Sequence, residues 1–138
     1  MEEEITYAFL LPGSITDSGW NAQMYVSAQS AEAALDIEIQ VAYGLGQVEV
    51  ADVMTEFAEA GTDVIWGHTL QYADAANQVA ELYPDSWFIG TTYYQRSFSN
   101  VIGVQNHVYQ GLYTCGMYAG GLTETGKIAF VGGFEFGT

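Results

Sequence analysis

Ile5-Thr6-Tyr7-Ala8-Phe9-Leu10-Leu11-Pro12-Gly13-Ser14-Ile15-Thr16-Asp17-Ser18-Gly19-Trp20-Asn21 decides the fold. Ile5 to Leu11 is an apolar run with Thr6 as its one aliphatic hydroxyl, and Pro12-Gly13 stops it. Such a run reads as a strand buried on both faces, the usual state inside a parallel sheet. Ser18 then stands where a helix cap belongs, with Met24, Ala28, Ala31 and Leu35 following at helical spacing. A buried strand feeding directly into a helix is the opening of an α/β chain.

The alternation continues. Ile37 to Tyr43 alternates apolar and polar residues as a strand near a sheet edge does, and Gly44 and Gly46 break it. Val50, Val53, Met54 and Phe57 share one helical face, and Gly61 suits a left-handed cap. Asp63 to Gly67 reads as a third strand. Tyr72, Ala75, Ala76, Val79, Ala80 and Tyr83 form a helical stripe stopped before Pro84. Trp87 to Thr91 and Val101 to Gln105 are the fourth and fifth strands, a helix spans about Tyr109 to Leu122, and Lys127 to Val131 is a last strand. Repeated strand–helix units demand right-handed crossovers. The fold class is therefore α/β, a doubly wound parallel sheet of flavodoxin-like or Rossmann-like outline.

The last helix is apolar nearly all round. Val108, Leu112, Cys115, Ala119 and Leu122 occupy one face, while Tyr109, Tyr113, Met117 and Tyr118 cover much of the rest. Cys115 reads as a small core residue, and Gly116 and Gly120 as sites of close helix–sheet packing. A helix of this kind wants two surfaces, so another domain, another copy or further chain is expected over its outer side.

Composition narrows the partners. The 138 residues are 49% apolar and hold 17 Asp plus Glu against one Lys and one Arg, a net charge of −15. Acidic residues are near ordinary abundance; the bases are missing. Such a chain cannot neutralise phosphates, which argues against nucleic acid, and anionic membranes repel it. A solubility role or a salty habitat explains the charge. Cys115 is alone, so neither a disulfide nor a thiol pair for a metal is expected. No cofactor motif is present either: the first loop lacks the Gly-Lys-Ser/Thr ending of a phosphate cradle, and Gly44-Leu45-Gly46 follows the wrong strand for a dinucleotide site. Met1 to Glu4 reads as a disordered acidic start, unlike the basic start of a signal peptide.

In an open α/β sheet ligands bind beyond the carboxyl ends of the strands. There the first loop places Asp17, Trp20 and Asn21 together, a carboxylate, a large aromatic and an amide suited to a neutral solute with a flat ring. The alternative is that Asp17 and Ser18 cap the helix and Trp20 packs inward. His68, after the third strand, and Thr92 and Tyr93, after the fourth, are expected to line the same pocket. Asp17 and His68 could form an acid–base pair, but no nucleophile or oxyanion hole accompanies them, and no enzyme is expected.

Asp17-Ser18-Gly19-Trp20-Asn21 resembles the Asp-x-Ser-Phe-Asn segment of the basic membrane protein family, the solute-binding proteins of ABC importers, which include purine-nucleoside receptors. The resemblance continues through Gly61-Thr62-Asp63-Val64-Ile65-Trp66-Gly67, Asp74-Ala75-Ala76, Tyr83-Pro84-Asp85, Asn100-Val101 and Gly111-Leu112-Tyr113, and ends at Thr125-Gly126-Lys127-Ile128-Ala129-Phe130-Val131-Gly132-Gly133. It implies a type I periplasmic-binding fold of two lobes with ligand between them, and an aromatic that stacks on a nucleobase, which falls on Trp20. Trp stands here in place of the family's Phe, and Gln110 where the family often has Glu.

Family length implies that residues 5–131 are the first lobe and 132–138 the start of a crossover to a second. An extracytoplasmic place, as a periplasmic protein or lipoprotein, and an ABC permease partner are implied too. A second expectation, from another class, is a self-contained interaction domain that forms a homodimer through the 109–122 helix.

Overall fold

The structure, a computed structural model, describes residues 5–91, 96–105 and 107–132. It divides into two units, residues 1–105 and 106–138. In the first, strands β1 (Tyr7–Leu11), β2 (Ile39–Tyr43), β3 (Val64–Gly67), β4 (Trp87–Thr91) and β5 (Val101–Val104) alternate with helices α1 (Trp20–Leu35), α2 (Val50–Glu59) and α3 (Ala73–Leu82). All neighbouring strands are parallel, in the order β2-β1-β3-β4-β5. The doubly wound sheet is as the alternation predicts. Because the chain leaves β1 leftward to β2 and then steps rightward to β3 and β4, right-handed crossovers put α1 on one face and α2 with α3 on the other.

The core lies on the α2–α3 face. Ala8, Leu10, Ile65 and Phe88 from the sheet meet Val50, Met54, Ala58, Tyr72, Ala76, Val79 and Ala80. The opposite face is less covered: Phe9, Trp66 and Ile89 are half-buried. β1 is thus fully buried on one face only, where its continuous apolar run predicts both. One helix on that face shields less of the sheet than the two opposite.

Local signals explain the boundaries. The end of α2 has the double bond of a Schellman motif: Thr62 N–H donates to the Phe57 carbonyl and Gly61 N–H to that of Ala58, each at 3.0 Å. Gly61 has φ +81°, which a side chain would resist. The α3 stripe buries Ala75, Ala76, Val79 and Ala80 as its spacing predicts. A 3-10 turn over Leu70–Tyr72 precedes it, started by Thr69, whose hydroxyl accepts the Gln71 N–H.

The second unit holds α4 (Val108–Leu122), none of whose residues is buried. Two expectations fail there. Lys127 to Val131 is not a strand, because a strand exists only against a partner and its own unit offers none. Cys115 is exposed rather than a core residue, since one helix alone has no second layer to bury it. Gly116 and Gly120 meet nothing within their unit that a Cβ would touch.

Asn100 closes the amino-terminal edge of the sheet. Its buried side-chain amide donates to the carbonyls of Ala80, Tyr83 and Ser86 at 3.2, 3.1 and 2.9 Å. Asn100→Asp keeps the shape but replaces the donating nitrogen with an oxygen, so three carbonyls lose this donor and, among the described residues, only that of Tyr83 keeps another, the Ser86 N–H. Urea unfolding is expected to show a loss of about 3 kcal/mol; an unchanged midpoint would refute the clamp.

Candidate functional site

The carboxyl ends of β1 and β3 flank the point where the strand order reverses, the place where α/β sheets open a crevice. The loop after β1 is tied down on its far side: Leu45 N–H donates to the Leu11 carbonyl and Gly44 N–H to that of Gly13. Within the loop, Gly13 N–H donates to Asn21 Oδ1 at 3.2 Å. A Cβ on Gly13 would lie 2.5 Å from Asn21 Nδ2, so only glycine fits this approach.

Asp17 organises the turn. Its Oδ1 accepts the N–H groups of Gly19 (2.8 Å) and Ala22 (3.0 Å). Oδ2 accepts the Asn21 N–H (3.1 Å) and the Asn21 amide nitrogen (2.7 Å). These donors, the Ala22 backbone first, then the Asn21 side chain and the Gly19 backbone, hold the carboxyl far below the usual carboxylate range. The cap expected from Ser18 is supplied instead by Asp17. Gly19 occupies the N-cap position and makes no side-chain cap, while Ser18 takes up the turn with φ +57°. A non-glycine residue in that region stores strain, and strain of this kind concentrates at functional sites.

Trp20, the first residue of α1, is 45% exposed although it is anchored. Its indole stacks on the His68 imidazole with centroids 4.4 Å apart and planes 16° apart. Each ring bonds the other residue's backbone. Trp20 Nε1–H donates to the His68 carbonyl at 2.8 Å, and His68 Nε2 lies 3.0 Å from the Trp20 carbonyl. Burial pushes the His68 pKa down, against smaller upward effects of its bond to Trp20 and of the Asp17 charge. Its Nδ1 lies 3.3 Å from Thr91 Oγ1.

The expected site residues therefore fall into three groups. Trp20 is accessible. Asp17, Asn21 and His68 come together with it, but Asp17 accepts four bonds from its own loop and helix, and Asn21 and His68 are buried and bonded within the protein. Their bonds hold the corner around Trp20, and Asp17 and His68 draw theirs from different partners. Thr92 and Tyr93 lie outside the described residues.

Sequence reasoning missed the roles of Trp66 and Thr91. Trp66 pairs in register with Ile89, which puts Thr91 diagonally adjacent on the same face. Trp66 Nε1–H donates to Thr91 Oγ1 at 2.7 Å. The signal was an indole inside a buried strand, whose N–H must find an acceptor.

Among the described residues no cluster of three or more His, Cys, Asp or Glu could hold a metal ion, and no helix is long and apolar enough to cross a membrane.

A family model described as ABC transporter substrate-binding protein, PnrA-like, matches residues 5–138. A Haloferax volcanii protein provisionally named an ABC transporter glucose-binding protein is 29% identical over 133 residues, covering 96% of this chain and 34% of that protein. Basic membrane protein A of Borreliella burgdorferi is 24% identical over 131 residues, covering 93% of this chain and 38% of the relative. The crystal structure of a transcriptional activator of the comK gene from Bacillus halodurans matches the fold with a TM-score of 0.71 and 22% identity, over 87% of this chain and 41% of that one. The chain thus spans little more than a third of the length of these two curated relatives.

Two outcomes test this geometry. Gly13→Ala should cost about 1–3 kcal/mol in urea unfolding, because Asn21 must move against the Asp17 cluster. The depressed His68 pKa contributes stability that is present above pH 6.5 and is lost as pH falls through the folded-state value. Melting temperature should therefore decline as pH drops below 6.5, and this part of the decline should vanish in His68→Phe.

Proposed function

This chain belongs to the Bmp family of PnrA-like ABC transporter substrate-binding proteins, and from that premise we propose that it is the first lobe of an importer's solute receptor. Its cargo is a neutral, ring-bearing solute, a purine nucleoside foremost, which lies on the open face of Trp20. The observation that carries this reading is an indole at the switch point that is anchored through its N–H and yet 45% exposed. A large aromatic held rigid and left bare is poised for stacking.

Charge supports neutrality of the solute. Lys127 and Arg96 are the only bases against 17 acids, so an anionic ligand or a nucleic acid would meet repulsion with little to offset it. The groups that acid–base catalysis would need, Asp17 and His68, are committed to holding the loop, which supports a non-catalytic role. An ABC permease as partner, and an extracytoplasmic place as a periplasmic protein or lipoprotein, follow from family membership as parts of the same proposal. Residues 132–138 are then the start of the crossover to the second lobe.

A sugar is the second reading, favoured by the glucose-binding name of the Haloferax volcanii relative. The C–H face of a pyranose also stacks on an indole. Homodimer formation through α4 is a separate proposal, supported by exposed Leu112, Tyr113 and Met117.

Titration of tryptophan fluorescence with inosine, adenosine, guanosine and glucose separates the solutes. One wall of a cleft buries little of a ligand, so the lobe alone should bind weakly and a two-lobed protein containing it tightly. The response should disappear in Trp20→Ala. Silence toward all four in the two-lobed protein would overturn the nucleoside and glucose readings. Light scattering that shows a monomer at high concentration would remove the dimer.

A further inference from the structure

Trp20 stands on the first turn of a helix with nearly half its surface in solvent, a setting in which a tryptophan ordinarily samples several rotamers. Here its restraints converge on His68, whose ring stacks on the indole and whose carbonyl accepts its N–H. Imidazole Nε2 faces the Trp20 carbonyl at 3.0 Å. A carbonyl only accepts, so Nε2 carries the proton in the neutral ring. Nδ1 is then the acceptor, and the Thr91 hydroxyl, 3.3 Å away, is the donor that faces it. Thr91 Oγ1 in turn accepts the Trp66 indole N–H at 2.7 Å. The chain runs in one direction: Trp66 Nε1–H to Thr91 Oγ1–H to His68 Nδ1, and His68 Nε2–H to the Trp20 carbonyl.

We propose that His68 is a positioning residue: locked in its Nε2–H tautomer by Trp66 and Thr91, it fixes the plane of the Trp20 indole and thereby orients the face that receives the solute. The claim that a solute uses that face rests on the function proposed above; the claim that the indole is locked does not. His68 is 7% exposed and its imidazole stacks against Trp20, so its influence on a ligand passes through Trp20. Asp17 is the charged group that acts on it, through space, while the two elements it bonds present uncharged groups, the Trp20 backbone and the Thr91 hydroxyl. The neutral ring is also the form that burial favours. A platform ordered in advance spares the ligand the entropy of ordering it, worth about threefold to tenfold in affinity for one large side chain.

The test reads the lock and the ligand separately. Long-range 1H–15N spectra of the imidazole report the tautomer, and solvent exchange of the Trp20 indole N–H reports the anchoring. The wild-type chain should show the Nε2–H tautomer and slow indole exchange. Thr91→Val should give mixed tautomers and at least tenfold faster Trp20 exchange, Trp66→Phe the same in weaker form, and Thr91→Ser should restore wild-type behaviour. A wild-type Nδ1–H tautomer, or Trp20 exchange unchanged in both Thr91→Val and Trp66→Phe, would overturn the positioning role. Inosine and glucose titrations then follow. A threefold to tenfold loss of affinity in Thr91→Val supports the whole proposal, and unchanged affinity overturns the orienting role. Spectra as expected without binding of either solute would leave the lock standing and count against the function reading.

Discussion

The carboxylate of Asp17 is the constraint on which the rest of the site depends. Four donors from three residues meet on its two oxygens, and no other group in the loop could gather them. It meets the first N–H groups of α1, where a helix leaves donors unsatisfied and favours negative charge. By doing so it holds the left-handed turn at Ser18 and sets the angle at which α1 leaves the sheet. Trp20 inherits its position from that angle, and His68 closes the arrangement from β3. Asn21 joins the carboxylate to Gly13, so the loop, the end of β1 and the start of α1 behave as one piece.

Much of the fold was legible because hydrophobic period and glycine placement are local signals. The stripe from Tyr72 to Val79, the glycine after α2 and the apolar runs of β1, β3 and β4 each mark an element by themselves. What failed depended on neighbours. Lys127 to Val131 has the composition of a strand, yet no partner stands beside it in its unit. Cys115 sits in an apolar stretch, yet no layer covers it there. Burial on both faces of β1 was inferred from residue type, whereas the number of helices on each face decides it.

The site divides along the same line. Asp17, Trp20, Asn21 and His68 were identifiable as chemically promising residues at strand ends. Which of them stays exposed and which are spent on bonds within the protein was not, because a sequence shows which groups can bond and not which are already saturated. Trp66 and Thr91 were hidden for a related reason: they are 25 residues apart, and sheet register alone makes them neighbours. The family resemblance read from short ordered motifs held over nearly the whole chain, and the chain spans little more than a third of the length of the two curated relatives.

The indole N–H of Trp20 is spent on the His68 carbonyl, which under the proposed function bears on how cargo could change over evolutionary time. If the proposed solute stacks there, an indole whose donor is already engaged asks only for flatness and apolar surface, and it would not tell a purine from the face of a pyranose. Discrimination must then fall to groups elsewhere, on longer loops or on another wall. The most constrained part of the lobe would be its least selective part, so a lineage could trade one solute for another without rebuilding the turn at Asp17. Relatives with different cargoes could share this corner nearly unaltered.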